Sequence, residues 1–200
     1  MKIWAGLLIV LMLVGVAVIL PSGARADHNN DTVTFTVDVA QDLTNYVQNN
    51  VNPATGSDVF TRGDTGILHG TIYPGGTLPS GRANNDPNAP GGIGRYRWVG
   101  TYTTNTAEFI KATQRIPGTA PQLASATEEF YFRDSANSII TGGEWPNAFF
   151  TLFRPVLGGT GNYRYVVGET KEVNIGENRT GACNIRVTFT LRKAKPENGQ

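Results

Sequence analysis

The chain carries one cysteine, two histidines and two methionines in 200 residues. A single Cys cannot close an internal disulfide, so the fold is not a disulfide scaffold. Charge is scarce as well, at 16% of residues, and balanced at 17 basic against 16 acidic. No basic face is available in bulk to neutralise phosphates, which excludes nucleic acid as a partner. The chain lacks a Gly-x-Ser-x-Gly elbow, a His-Glu-x-x-His pair and a Walker Lys-Ser/Thr. Outside the first 26 residues, no long stretch repeats apolar residues at i, i+3, i+4 and i+7. The best helical candidate, 105–114, is short. No internal repeat and no second-domain boundary is visible. Apolar content of 40% is ordinary and argues against a disordered chain.

Lys2 gives a short positive start, followed by an apolar run from Ile3 to Leu20. Pro21, Ser22 and Gly23 then break it, and Ala24-Arg25-Ala26 puts small residues where a signal peptidase reads. Residues 1–26 read as a secretory signal cleaved before Asp27. The rival reading is an uncleaved anchor, since the run is near the lower limit for a membrane span. Cleavage leaves 174 residues, a barrel domain over 27–193 and a flexible tail over 194–200. The expected location is secreted, periplasmic or extracellular, with no stable membrane insertion after cleavage.

The mature chain reads as all-β. In Thr32–Val39 the apolar residues fall at 33, 35, 37 and 39, a period of two that buries one face. The last strand does the same with Cys183, Ile185, Val187, Phe189 and Leu191. Between them lie six runs rich in β-branched and aromatic residues: 65–73, 93–103, 127–134, 138–142, 149–154 and 163–173. Gly and Pro clusters at 73–76, 79–94, 117–121, 158–161 and 176–181 separate them as turns and loops. Eight antiparallel strands form either a sandwich or a closed barrel. The first and last strands are long and uninterrupted, as expected if they pair to close a barrel.

Gly158-Gly159-Thr160-Gly161-Asn162-Tyr163 resembles the Gly-Gly-Thr-Gly-x-aromatic signature of dirigent proteins, which share a barrel with allene oxide cyclases. Gly94-Arg95-Tyr96, then Glu129-Phe130-Tyr131-Phe132 followed by Ser138–Gly143, resemble further family segments in the same order. The resemblance covers Thr65 to Arg192. It implies an eight-stranded antiparallel barrel, often trimeric, with an apolar cavity that guides phenol coupling or cyclises an unstable epoxide. Asn162 stands where the family usually has an acidic residue, and Val166-Val167-Gly168 where it has Ala-Arg-Gly. Read without the resemblance, the four residues 158–161 are a tight turn in which Gly permits positive φ.

Three residues are candidates for proton transfer. His69 shares a period-two face with Ile67, Thr71 and Tyr73, so it points inward or is a structural histidine. An unperturbed imidazole could exchange protons near neutral pH. Glu128 shares the face of Phe130 and Phe132, and Glu169 that of Tyr163, Tyr165 and Val167. Each is either a buried carboxyl with a raised pKa or a charge at the barrel mouth. Tyr73, Arg97, Phe130, Phe132, Tyr163 and Tyr165 are the ligand-binding candidates. Arg97 belongs either to a basic lip or to a solvent face opposite Tyr96, Trp98 and Tyr102. Asn84–Asn88 lacks the spaced pattern of a calcium loop, so no metal site is expected, and no cofactor is. Asn178-Arg179-Thr180 fits a glycosylation sequon.

The leading functional expectation is an exported barrel holding a small hydrophobic or phenolic molecule and steering its cyclisation or coupling. The alternative is a non-catalytic carrier, or a structural module whose barrel is filled by its own side chains.

Overall fold

The computed structural model describes residues 25–27, 32–51, 60–106, 123–133, 136–146 and 151–194. Nearly all of the expected leader, the helical candidate beyond Thr106 and the tail beyond Ala194 lie outside them. Among the described residues, ten strands occur in chain order: β1 (Arg25–Asp27), β2 (Thr32–Asn49), β3 (Thr65–Pro74), β4 (Gly81–Arg82), β5 (Gly94–Tyr102), β6 (Ala124–Phe132), β7 (Asn137–Trp145), β8 (Leu152–Gly159), β9 (Val166–Glu177) and β10 (Cys183–Lys193). Eight of them close an antiparallel barrel in the order β2-β10-β9-β8-β7-β6-β5-β3 and back to β2. β1 adds to the outer edge of β2, and β4 pairs parallel with β9. Closure leaves the barrel with no free edge, which settles barrel against sandwich. Among the described residues, no helix is long and apolar enough to cross a membrane.

The closing seam is the one the alternation suggests. β10 runs antiparallel to β2 from Asn184↔Ala40 to Arg192↔Thr32. Val37, Val39, Val187, Phe189 and Leu191 thus face the same interior. β2 continues ten residues past the alternating run. A register shift between Asp42 and Val47 lets its far half pair with β3.

One end of the barrel is plugged by aromatic rings. Phe35 stacks on Phe189 at 4.8 Å, Phe189 meets Phe130 edge-on at 5.0 Å, and Tyr163 packs on Phe132 at 5.2 Å. Offset and edge-on pairs of this kind add to the area they bury. The signature turn seals this end. A 3-10 turn at Gly161–Tyr163 follows β8, with Gly161 at φ 56°, which a side chain adopts only under strain. Thr160 N donates to Ser138 O at 2.9 Å and Asn162 N to Asn137 Oδ1 at 2.9 Å. These amides tie the turn to β7, so the segment is a structural turn.

The polar loop over 79–93 straps across the outer wall. Asp38 lies fully buried beneath it, paired with Arg186 at 2.8 Å and accepting from Leu78 N at 2.9 Å. Asn88 reaches Asp42 at 2.9 Å and Asp86 pairs with Arg179 at 2.6 Å. This strap explains why Val37 to Asp42 are buried on both faces. Tyr73 lies under it too, reaching Pro87 O and Ala89 O at 2.9 Å each. Tyr73→Phe is expected to cost about 1–2 kcal/mol, because two covered carbonyls lose their donor. A lower urea midpoint at unchanged m would show it.

Candidate functional site

The interior between the aromatic plug and the opposite end is polar. Arg154, on β8, points inward with 1% of its side chain exposed. Its Nε lies 3.5 Å from Glu128 Oε2 on β6 and 3.3 Å from Glu172 Oε2 on β9. Both carboxyls are as deeply buried as the guanidinium. Tyr96 on β5 donates to Glu128 Oε1 at 2.8 Å, and Gln41 on β2 donates to Tyr96 Oη at 3.4 Å. Thr141 on β7 donates to Glu128 at 3.3 Å, and Thr170 on β9 to Glu172 at 3.1 Å. Six of the eight barrel strands thus send a polar side chain to one cluster.

One cation cannot neutralise two buried carboxyls. Burial and the neighbouring Glu128 push Glu172 well above the usual carboxylate range, against the pull of Arg154. Glu172 is therefore the carboxyl that keeps its proton, and it shares a hydrogen bond with Glu128. Burial beside Glu128 and Glu172 likewise raises the Tyr96 phenol far above its usual value, so Tyr96 remains a donor. The Arg154 Nη1 and Nη2 atoms are buried and have no partner.

Beyond this cluster lies a second aromatic group. Trp98 on β5 packs against Trp145 at 5.4 Å and Tyr102 at 6.5 Å, and Phe60 stacks on Tyr102 at 4.7 Å. Tyr46 and Tyr102 share a phenol–phenol hydrogen bond of 2.9 Å. The Trp98 indole has room because Gly66 and Gly100, cross-strand partners on β3 and β5, expose bare backbone beneath it. A Cβ on Gly66 would sit 3.0 Å from the Trp98 ring and 2.7 Å from the Tyr46 hydroxyl. Trp98 Nε1 is also buried without a partner.

The expected residues divide sharply by face. Glu128, Phe130, Phe132 and Tyr163 are interior. Phe130, Phe132 and Tyr163 belong to the plug, and only Glu128 joins the polar cluster. His69 is corrected: Leu68 and Ile72 point inward, so His69 is exposed on the outer wall opposite Arg97. Glu169 is corrected likewise, because Thr170 and Glu172 face in and Glu169 is exposed. Tyr165 is 69% exposed at φ 63°, with Arg164 over its ring. Tyr163 and Tyr165 sit in and just after the 3-10 turn, so the period-two count through them lands on the wrong face. Arg97 lies on the outside, ion-paired with Glu129 at 2.8 Å, and Tyr73 lies beneath the strap. Gln41, Thr141, Arg154, Thr170 and Glu172 are interior polar groups that sequence reasoning missed.

The single Cys183 is half-buried and free, with burial raising its thiol. Asn178 is buried, with Nδ2 donating to Gln41 O at 2.7 Å and Oδ1 accepting from Thr180, so the folded sequon is closed to a glycan. Among the described residues, no group of three or more His, Cys, Asp or Glu could hold a metal ion.

No protein-family model and no curated protein matches the chain. Solved structures do match. The pterocarpan synthase dirigent protein PsPTS1 superposes with a TM-score of 0.55 at 11% identity, over 82% of this chain and 96% of that one. The pterocarpan synthase dirigent protein GePTS1 gives 0.53 at 10% identity, over 84% and 88%. The fold is the dirigent barrel. At these identities the likeness concerns architecture, and the side chains inside this dirigent-type barrel must be read for themselves. Val167 stands where the signature family usually has a strand Arg, and the buried guanidinium here comes from β8 instead.

Proposed function

We propose that this protein is an exported barrel that binds a small hydrophobic or phenolic molecule and steers its cyclisation or coupling. The ligand sits between the Trp98–Trp145–Tyr102 rings and the Arg154 cluster. The observation that carries this reading is the unpartnered guanidinium edge of Arg154 at the centre of the barrel. A buried polar group left unpaired costs about 1–3 kcal/mol, and more when charged. Folding tolerates that cost where a ligand supplies the missing partner. Two barrels of this fold are pterocarpan synthases, which supports assigning small-molecule synthesis to the interior. Selectivity would come from orientation. Holding a reactive molecule in one conformation contributes up to about 7–11 kcal/mol without any covalent step by the protein. Glu172 adds a protonated carboxyl and Arg154 a fixed positive charge.

Native mass spectrometry of protein purified from its own host is expected to show a retained small-molecule adduct. Phenols or other small hydrophobic ligands at one hundred times Kd should add about 2.7 kcal/mol of stability, a rise in Tm of roughly 5–10 °C. No adduct and no shift with either class would leave a structural module filled by its own side chains.

A further inference from the structure

We propose that the ligand is a neutral aromatic or conjugated molecule bearing a carbonyl oxygen, held by Arg154 Nη1 and Nη2 together with Trp98 Nε1. The inference rests on the reading above that the interior takes a small hydrophobic molecule, and it names the chemistry of that molecule. Among the described residues, the interior atoms left without a hydrogen-bond partner are these three nitrogens, and all are donors. The other buried atoms without a hydrogen bond among the described residues lie elsewhere: Arg97 Nε on the outer wall, 2.8 Å from Glu129 Oε2 as an ion pair, and Thr103 Oγ1 past the end of β5. What the interior lacks is an acceptor.

Trp98 and Arg154 are both neighbours of Glu128. Trp98 is the direct cross-strand neighbour of Glu128 between β5 and β6, and opposite residues of an antiparallel pair have Cβ atoms about 5 Å apart. Arg154 reaches the same Glu128 at 3.5 Å. The proposed oxygen lies between these two side chains. Its charge follows from the cluster's balance. One guanidinium faces two carboxyls, of which Glu172 holds a proton, so the cation is already matched. A ligand carboxylate would bring a third acid into a dry site. A neutral carbonyl accepts the spare hydrogen bonds without adding charge. The surroundings set the rest, since Trp98, Trp145 and Tyr102 form an aromatic group beside it, which suits a flat ligand.

Three probes of one shape test this by calorimetry: 2-acetonaphthone, 2-ethylnaphthalene and 2-naphthoate. The ketone is expected to bind about tenfold or more tighter than the hydrocarbon, and the naphthoate more weakly than the ketone. Trp98→Phe, which keeps a ring and removes the N–H, is expected to narrow the ketone-to-hydrocarbon ratio several-fold. The Trp98 indole proton should move downfield with the ketone and stay put with the hydrocarbon. Equal binding of ketone and hydrocarbon would overturn the carbonyl site while leaving a ligand-binding barrel. Tightest binding by the naphthoate would replace it with an anion site. No binding of any probe would count against both the site and the function it rests on.

Discussion

Arg154→Met is expected to destabilise the barrel by about 3–5 kcal/mol, the cost of leaving a buried ion pair half removed. Glu128 and Glu172 would remain in the interior with no cation at 3.3–3.5 Å. At roughly 2–4 °C per kcal/mol for a chain of this size, Tm should fall by about 10 °C. The companion variant is decisive. Adding Glu128→Gln and Glu172→Gln to Arg154→Met removes the stranded acids, and much of the lost stability should return. Thermal unfolding of the two variants side by side checks it. If the triple variant is no better than Arg154→Met alone, Arg154 acts through packing, and the charge argument fails.

Glu172→Gln is expected to change how stability depends on pH. The folded-state pKa of Glu172 is raised, so the native protein binds this proton more tightly than the unfolded chain does. Stability is then complete below the ordinary carboxylate value of 4.5 and falls as pH rises through the folded-state value. Each pH unit in that window costs about 1.4 kcal/mol. Gln mimics the protonated acid and carries no such penalty. The variant should match the parent near pH 4.5 and exceed it at pH 8, with the gap in unfolding free energy widening between. Tyr96, Glu128 and Arg154 face the same carboxyl and stay in place in this comparison. Uniform destabilisation at every pH would instead make Glu172 an ionised counterion of Arg154.

The polar interior was illegible in the chain for a physical reason. Period two reports burial only when the buried residues are apolar. On β8, Phe153 and Leu157 are exposed while Arg154 is buried, so hydropathy points to the wrong face. On β9 the inward residues include Thr170 and Glu172, which look like a solvent face. His69 fails for another reason, since the apolar Ile67 and Tyr73 share its outer face, and Glu169 because the count to it runs through the 3-10 turn. Glu128 was readable because Phe130 and Phe132 follow it at the right spacing. Arg97 had two readings from the start, and its ion pair with Glu129 decides for the outer wall. Tyr73 is the reverse case: it is buried, yet by the strap rather than by the barrel.

The all-β class and the run of eight strands were written in local chemistry. So was the pairing of the first and last strands, while the turn expected over 158–161 comes later: Gly158 and Gly159 end β8, and the 3-10 turn is Gly161–Tyr163. Alternation, β-branched residues and glycines act within a few neighbours, and the folded protein keeps each of them. Only closure of the barrel put Gln41, Tyr96, Glu128, Thr141, Arg154 and Glu172 together, from positions 131 residues apart at the extremes. A buried charge is permitted by its partners, and those partners lie on other strands. That is why the site, unlike the fold, appeared only in three dimensions.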